Sequence, residues 1–201
     1  MVSHDGDLNR MFGYDFQIAT LTTEQIKKYF MINGSNVDAY DNLTMPTFEQ
    51  YLGVMKKNKE VHPFVEIKEE LNDADLRKIV KQVKDAGLLN ETYFISMHQS
   101  NLLSLQRLDG VNTSQLQYVY GAEDFNKTTS VTSSVISWCI NNQIDLDTRQ
   151  SLVTASDVYR LQTAGRQVNV WTVNTIEKAY DLVNKLHVDM ITTEYMLNTE
   201  P

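Results

Sequence analysis

The feature that most constrains the fold is an alternation that sets in near residue 60. A short β-branched or aromatic run is followed by a polar loop and then by an amphipathic stretch of ten or more residues, and the theme recurs. Strands separated by helices pair in parallel, because each crossover helix returns the chain to the same end of the sheet. Val61 to Ile67 reads as a strand, and Asn72-Asp73-Ala74-Asp75 as a helix start. Leu76, Ile79, Val80 and Val83 then fall at i, i+3, i+4 and i+7, and Gly87 ends that helix as a left-handed cap. Tyr93 to Met97 is the next strand, followed by a helix through Leu102, Leu103 and Leu105 and an Asp109-Gly110 turn. Leu116 to Tyr120 is a third strand, Val131 to Ile140 a helix, and Ile144 to Leu146 a short, poorly patterned fourth strand. A helix over Thr154 to Ala164 stops at Gly165, before the clearest strand of the chain, Val168 to Val173. Thr175 caps the last helix, with Ala179, Leu182, Val183 and Leu186 on one face, and Val188 to Thr192 is the last strand.

Before residue 60 the pattern differs. Thr22-Thr23-Glu24-Gln25 and Thr47-Phe48-Glu49-Gln50 match the capping box, so each starts a helix, the second with Phe48, Tyr51, Leu52 and Met55 on one face. Met31 to Thr44 reads as loop. No repeat, Pro/Ser-rich linker or long charge block marks a boundary, and one domain is the simplest reading. The alternation fits either a doubly wound sheet or a closed (β/α)8 barrel, and periodicity does not choose between them. A Gly-rich strand-to-helix turn of the dinucleotide or P-loop kind is missing, so the site is expected at strand C-termini, as in barrels.

Composition narrows the function classes. With 42% hydrophobic residues in 201 the chain can fill a core, which excludes a disordered or collagen-like chain. Lys plus Arg number 18 against 26 Asp plus Glu, and the net charge of −8 repels nucleic-acid backbones and anionic lipid. The single cysteine, Cys139, supports neither an intrachain disulfide nor a zinc cluster and reads as core. No apolar run approaches the roughly 18 residues of a bilayer span. Asn42-Leu43-Thr44 and Asn126-Lys127-Thr128 match glycosylation triplets, which carry meaning only in a secreted eukaryotic protein.

Four places stand out for chemistry. Glu66 and Lys68 lie two apart at the end of Phe64-Val65-Glu66-Ile67-Lys68, so they point the same way. A carboxylate there can hold Mg2+ or Ca2+ and an ammonium can hold a phosphate oxygen, although the pair also reads as a salt-linked strand end. His4, beside Asp5 and near Leu8 and Arg10, is a general acid or a solvent-exposed terminal residue. Trp171, in Val170-Trp171-Thr172-Val173-Asn174, walls a substrate pocket or packs in the core. His98, just after Ser96-Met97, reaches the site or serves the fold; His62 and His187 fall toward the opposite ends of their strands and take no role.

Taken together in this order, the pieces resemble the glycerophosphodiester phosphodiesterase family. His4-Asp5-Gly6-Asp7-Leu8-Asn9-Arg10 is similar to its HD-x-x-L-x-R segment, with Gly13 at the following turn. Met45-Pro46-Thr47-Phe48-Glu49-Gln50 is similar to its Pro-Thr-Leu-Glu-Glu helix start, and Phe64-Val65-Glu66-Ile67-Lys68 to its E-I-K strand. Val170-Trp171-Thr172-Val173-Asn174 with Val188-Asp189-Met190-Ile191-Thr192-Thr193 resembles its closing W-T-V-N and V-D-x-I-x-T pair. The resemblance spans essentially the whole chain. It implies a TIM-type (β/α)8 barrel and metal-dependent hydrolysis of glycerophosphodiesters to glycerol 3-phosphate and an alcohol. By the same resemblance His4 is a catalytic histidine that protonates the leaving alkoxide, Glu66 one of three carboxylates on Mg2+ or Ca2+, Lys68 a phosphate contact, and Trp171 a wall beside the glycerol or head group.

The family's first strand ends in His-Arg-Gly, which carries its other catalytic histidine, and its second carries Glu-x-Asp, which supplies two metal ligands. Neither segment occurs here. Ser96-Met97-His98 stands where the family has Ser-Ser-Phe, and Glu194 where Asp usually follows the last Thr. The expectation is therefore an incomplete barrel lacking its first two strands, a single N-terminally truncated domain over residues 1–201, with the activity residing in a longer parent. The alternative is a non-catalytic fragment that binds phosphodiesters or completes a partner. A small-molecule glycerophosphodiester is the expected partner, not nucleic acid, and a homo-oligomer is expected to cover exposed sheet edges. The cytoplasm is the default compartment; a membrane anchor or export signal would belong to the parent.

Overall fold

The computed structural model describes residues 1–123, 127–194 and 196–197, and the chain resolves into two compact units, Met1–Val61 and His62–Pro201. Asn126 of the second glycosylation triplet lies outside the described residues. No helix among them is long and apolar enough to cross a membrane.

The first unit is built on short helices: α1 (Asn9–Phe12), α2 (Thr23–Ile26) and α3 (Phe48–Met55). Both capping boxes form. The Thr22 hydroxyl accepts from Gln25 N while the Gln25 amide oxygen accepts from Thr22 N, and Thr47 and Gln50 do the same. Leu8, Phe12, Ile26 and Met45 make the core of this unit. On α3 only Leu52 of the expected stripe is fully buried.

The second unit carries the alternation. Its strands are β1 (Phe64–Glu66), β2 (Tyr93–Ser96), β3 (Leu116–Tyr120), β4 (Asp145–Arg149), β5 (Val168–Trp171) and β6 (Met190–Ile191). The helices between them are α4 (Asp73–Asp85), α5 (Gln99–Gln106), α6 (Ser133–Asn142), α7 (Ala155–Thr163) and α8 (Ile176–Asn184). Every strand pairs in parallel with its sequence neighbour, in the order β1-β2-β3-β4-β5-β6. A doubly wound sheet would reverse its order part-way, so this sheet is singly wound, the connectivity of a barrel.

The register fixes two unlike faces. Leu146, Val168 and Val170 form a core cluster with Val135, Ile136 and Cys139 of α6, Val158 and Leu161 of α7, and Ala179 and Leu182 of α8. The residues between them face the other way: Gln117 pairs with Asp145, Asp147 with Asn169, and Arg149 with Trp171. On that face the sheet curls. Strands three apart in a flat sheet lie about 14 Å from each other, yet the Gln117 amide of β3 reaches Met190 Sδ of β6 at 3.8 Å. Six parallel strands thus form the arc of a half-barrel whose concave face is polar.

Several elements differ from expectation: β1 and β6 are shorter than Val61 to Ile67 and Val188 to Thr192. The fourth strand runs Asp145–Arg149, longer than Ile144 to Leu146 and buried throughout. Val183, placed on the inner face of the last helix, is 45% exposed. It follows Leu182 by 100° around α8 and falls off the stripe that Ala179 and Leu182 present to the core.

Candidate functional site

Glu66 ends β1 on the concave face, in register with Ile95, and its Oε2 lies 3.4 Å from Lys68 Nζ. The structure therefore brings these two sequence candidates together. The loop that carries Lys68 is pinned from β2 and α5. The buried Ser96 hydroxyl donates to Ile67 O at 2.6 Å, and the His98 ring donates from Nε2 to Lys68 O at 2.9 Å. The fully buried Asn101 amide donates to Glu69 O at 2.8 Å, and its oxygen accepts from Leu71 N at 2.9 Å. His98 is thus a positioning residue for the Lys68 loop. His62 pairs with Glu91 at 3.1 Å, away from it.

Because Asn101 satisfies Glu69 O and Leu71 N of the Lys68 loop and also donates to Ser96 Oγ at the end of β2, Asn101→Ala leaves groups on both segments unmet. The expected loss is about 2–4 kcal/mol, read as a lower urea midpoint at unchanged slope. A midpoint equal to the native one would remove the loop-pinning role.

Of the remaining concave face the sequence singled out Trp171 alone. Asp147 of β4 is 3% exposed, and its Oδ1 has no hydrogen-bond partner among the described residues. Burial pushes its carboxyl well above the usual range, and the Glu66 charge adds to the effect. The flanking amides are used elsewhere: Asn169 Nδ2 lies 3.4 Å from Gln117 Oε1 and 3.3 Å from Thr192 Oγ1. Arg149 donates to Thr128 O at 2.6 Å. Trp171 shares this face at the C-terminal end of β5, and its indole N–H is buried without a partner among the described residues. Just beyond, the Asn174 side chain donates to Glu194 Oε2 at 2.7 Å and accepts from Glu194 N at 3.1 Å, joining the ends of β5 and β6.

His4 belongs to the first unit. Its Nδ1 lies 2.7 Å from Asp5 Oδ1, and Arg10 Nε donates to Asp5 Oδ2 at 2.7 Å. Arg10 first, then His4, holds the Asp5 carboxyl down at about 2. The His4 ring is 77% exposed, with Asp5 fixing its orientation. The segment is anchored through Leu8 N to Phe16 O and Ile18 N to Gly6 O.

Among the described residues no three His, Cys, Asp or Glu side chains group closely enough to hold a metal ion. What the concave face offers is Glu66 and the orphaned Asp147 oxygen. Two carboxylates suffice for a cation that keeps several waters and takes its remaining oxygens from a phosphate substrate. Cys139 is buried, and burial pushes its thiol up to about 12, which makes it core rather than nucleophile. A cavity of about 390 Å³ lies at the opposite end of the strands, against Tyr93, Asp145 and Arg166. Chemistry in β/α barrels sits at the strand C-termini, so that cavity is not the candidate.

Comparison with known proteins places this geometry. The glycerophosphoryl diester phosphodiesterase family matches residues 1–197. A glycerophosphodiester phosphodiesterase from Parabacteroides distasonis is similar in structure, with a TM-score of 0.69 and 23% identity over 96% of this chain and 72% of its own. A phosphodiesterase from Oleispira antarctica, solved in complex with the product sn-glycerol-3-phosphate, has a TM-score of 0.72 and 18% identity over 96% of this chain and 74% of its own. No curated protein matches the sequence.

Proposed function

Because this chain belongs to the glycerophosphoryl diester phosphodiesterase family, we propose that it serves the metal-dependent hydrolysis of glycerophosphodiesters to glycerol 3-phosphate and an alcohol. The observation that carries the reading is the Glu66–Lys68 pair, 3.4 Å apart at the C-terminal end of β1 on the concave face. Glu66 holds a divalent cation, Mg2+ or Ca2+, whose charge when bound neutralises what develops on the phosphoryl oxygens. Lys68, kept in place by His98 and Asn101, contacts the phosphate. Trp171 walls the glycerol or head-group side. His4 gives its proton to the departing alkoxide, and Asp5 orients its ring through Nδ1. The product held by the Oleispira antarctica phosphodiesterase supports glycerol 3-phosphate as the product here.

We read the six-stranded arc as an incomplete barrel of the TIM type, with a partner or second copy able to cover an exposed sheet edge. One observation favours a second reading, a non-catalytic arc that binds phosphodiesters: no three-ligand cluster exists among the described residues.

The test is release of glycerol 3-phosphate from glycerophosphocholine with Mg2+ or Ca2+, comparing the native chain with His4→Ala and Glu66→Ala. Metal-dependent turnover is expected, reduced about 10²–10⁴-fold in His4→Ala. A folded, monodisperse native chain without turnover in either metal would overturn the catalytic reading in favour of the binding one.

A further inference from the structure

We infer that Asp147 is a carboxylate ligand of the divalent-cation site that Glu66 begins, and that the ion taken there is of the Mg2+ type. The inference rests on the proposed function for Glu66 and adds a ligand from β4, two residues before the end of that strand. Asp147 lies on the same concave face as Glu66, two residues beyond the position of β4 that stands in register with Glu66 through Ile95 and Gln117, in a sheet whose curl brings side chains of strands three apart into contact.

Three features of that neighbourhood call for a cation. Asp147 Oδ1 is a strong acceptor, enclosed in a residue 97% removed from solvent, with no donor supplied among the described residues. Most buried polar atoms are paired, and an orphaned acceptor on a polar concave face is a place that an ion can complete. Of the donors that flank it, the Asn169 amide is engaged with Gln117 and Thr192, and Arg149 Nη2 with the Thr128 carbonyl. Lys68 compensates Glu66 alone. A divalent ion added to two carboxylates and one ammonium leaves one net positive charge, the complement of a phosphodiester. Calcium takes six to eight oxygens, whereas magnesium is held by one or two carboxylates plus water and substrate phosphate. Two protein carboxylates match the second pattern.

The experiment uses the full, metal-free chain and Mn2+ as the probe, read by water-proton relaxation, with thermal melts alongside. Native chain is expected to bind Mn2+ and to lose it to Mg2+ at lower concentration than to Ca2+. Glu66→Gln and Asp147→Asn are each expected to weaken Mn2+ binding about tenfold or more, and Mg2+ is expected to raise the melting temperature of the native chain but not of Asp147→Asn. Native-like binding by Asp147→Asn beside weakened binding by Glu66→Gln would overturn the role of Asp147 and leave the Glu66 reading standing. Equal binding by all three, or no native binding at about 10 mM Mn2+, would overturn both. Displacement by Ca2+ ahead of Mg2+ would overturn the assignment of ion type. If Asp147→Asn fails to fold, Asp147→Ser answers the same question.

Discussion

A Glu66→Gln chain is expected to release glycerol 3-phosphate about 10³-fold more slowly than the native chain at saturating Mg2+, equivalent to about 4 kcal/mol of transition-state stabilisation. The amide keeps the shape and one acceptor oxygen of the carboxylate but removes the charge that holds the cation. Folding should scarcely notice. Glu66 and Lys68 side chains are 29% and 33% exposed, and an ion pair so wetted contributes at most about 1 kcal/mol. The same substitution therefore separates catalysis from stability: the rate collapses while the melting temperature stays within about 2–4 °C. Lys68→Ala is the counterpart, raising KM more than it lowers kcat, because its ammonium meets the phosphate in ground state and transition state alike. A Glu66→Gln rate close to native would remove Glu66 from the site.

The alternation in the sequence was legible because each element carries its own local chemistry. Leu116 to Tyr120 is β3 residue for residue, Asn72 caps α4 through Ala74 N and Asp75 N, and Gly87 sits at φ +76. The Glu66 and Lys68 pairing was legible too, since a period of two puts them on one face. Singly wound order was not, because periodicity names strands without saying which neighbour each one pairs with. Nor, Trp171 apart, was the rest of the concave face. In Asp145-Leu146-Asp147-Thr148-Arg149 every second residue is charged, a pattern that marks a solvated edge when strands are judged by apolar content. Here those charges point into the hollow of a curled sheet, where the surroundings and not the residue types decide their burial. The alternation itself was the available signal for Asp147.

Asp145 gives the second large effect, on stability. It is the first residue of β4 and is 2% exposed. Its Oδ1 accepts from Gln167 N at 2.9 Å and lies 3.4 Å from Arg166 Nη1. Burial pushes its carboxyl up to about 6, with Asp189 adding to the rise, while the Gln167 N–H and Arg166 pull down without cancelling it. In the unfolded chain the group titrates near the ordinary 3.8. Between those values the native state holds a proton that the unfolded state has released, so the unfolded state binds fewer protons and stability falls as pH rises. The fall begins near pH 4 and is complete just above pH 6, at most about 3 kcal/mol for a shift of this size. Asp145→Asn keeps an oxygen to accept from Gln167 N but carries no proton to release. The difference in unfolding free energy between variant and native chain should therefore move in favour of the variant from pH 4 to pH 6 and stay constant above it. Using the difference removes the opposite contribution of Asp5, whose lowered value of about 2 stabilises the chain as pH rises through the range below 4. Urea titrations of both chains at pH 4, 5, 6 and 7 read it directly, and parallel stability profiles would show that Arg166 neutralises Asp145 in full.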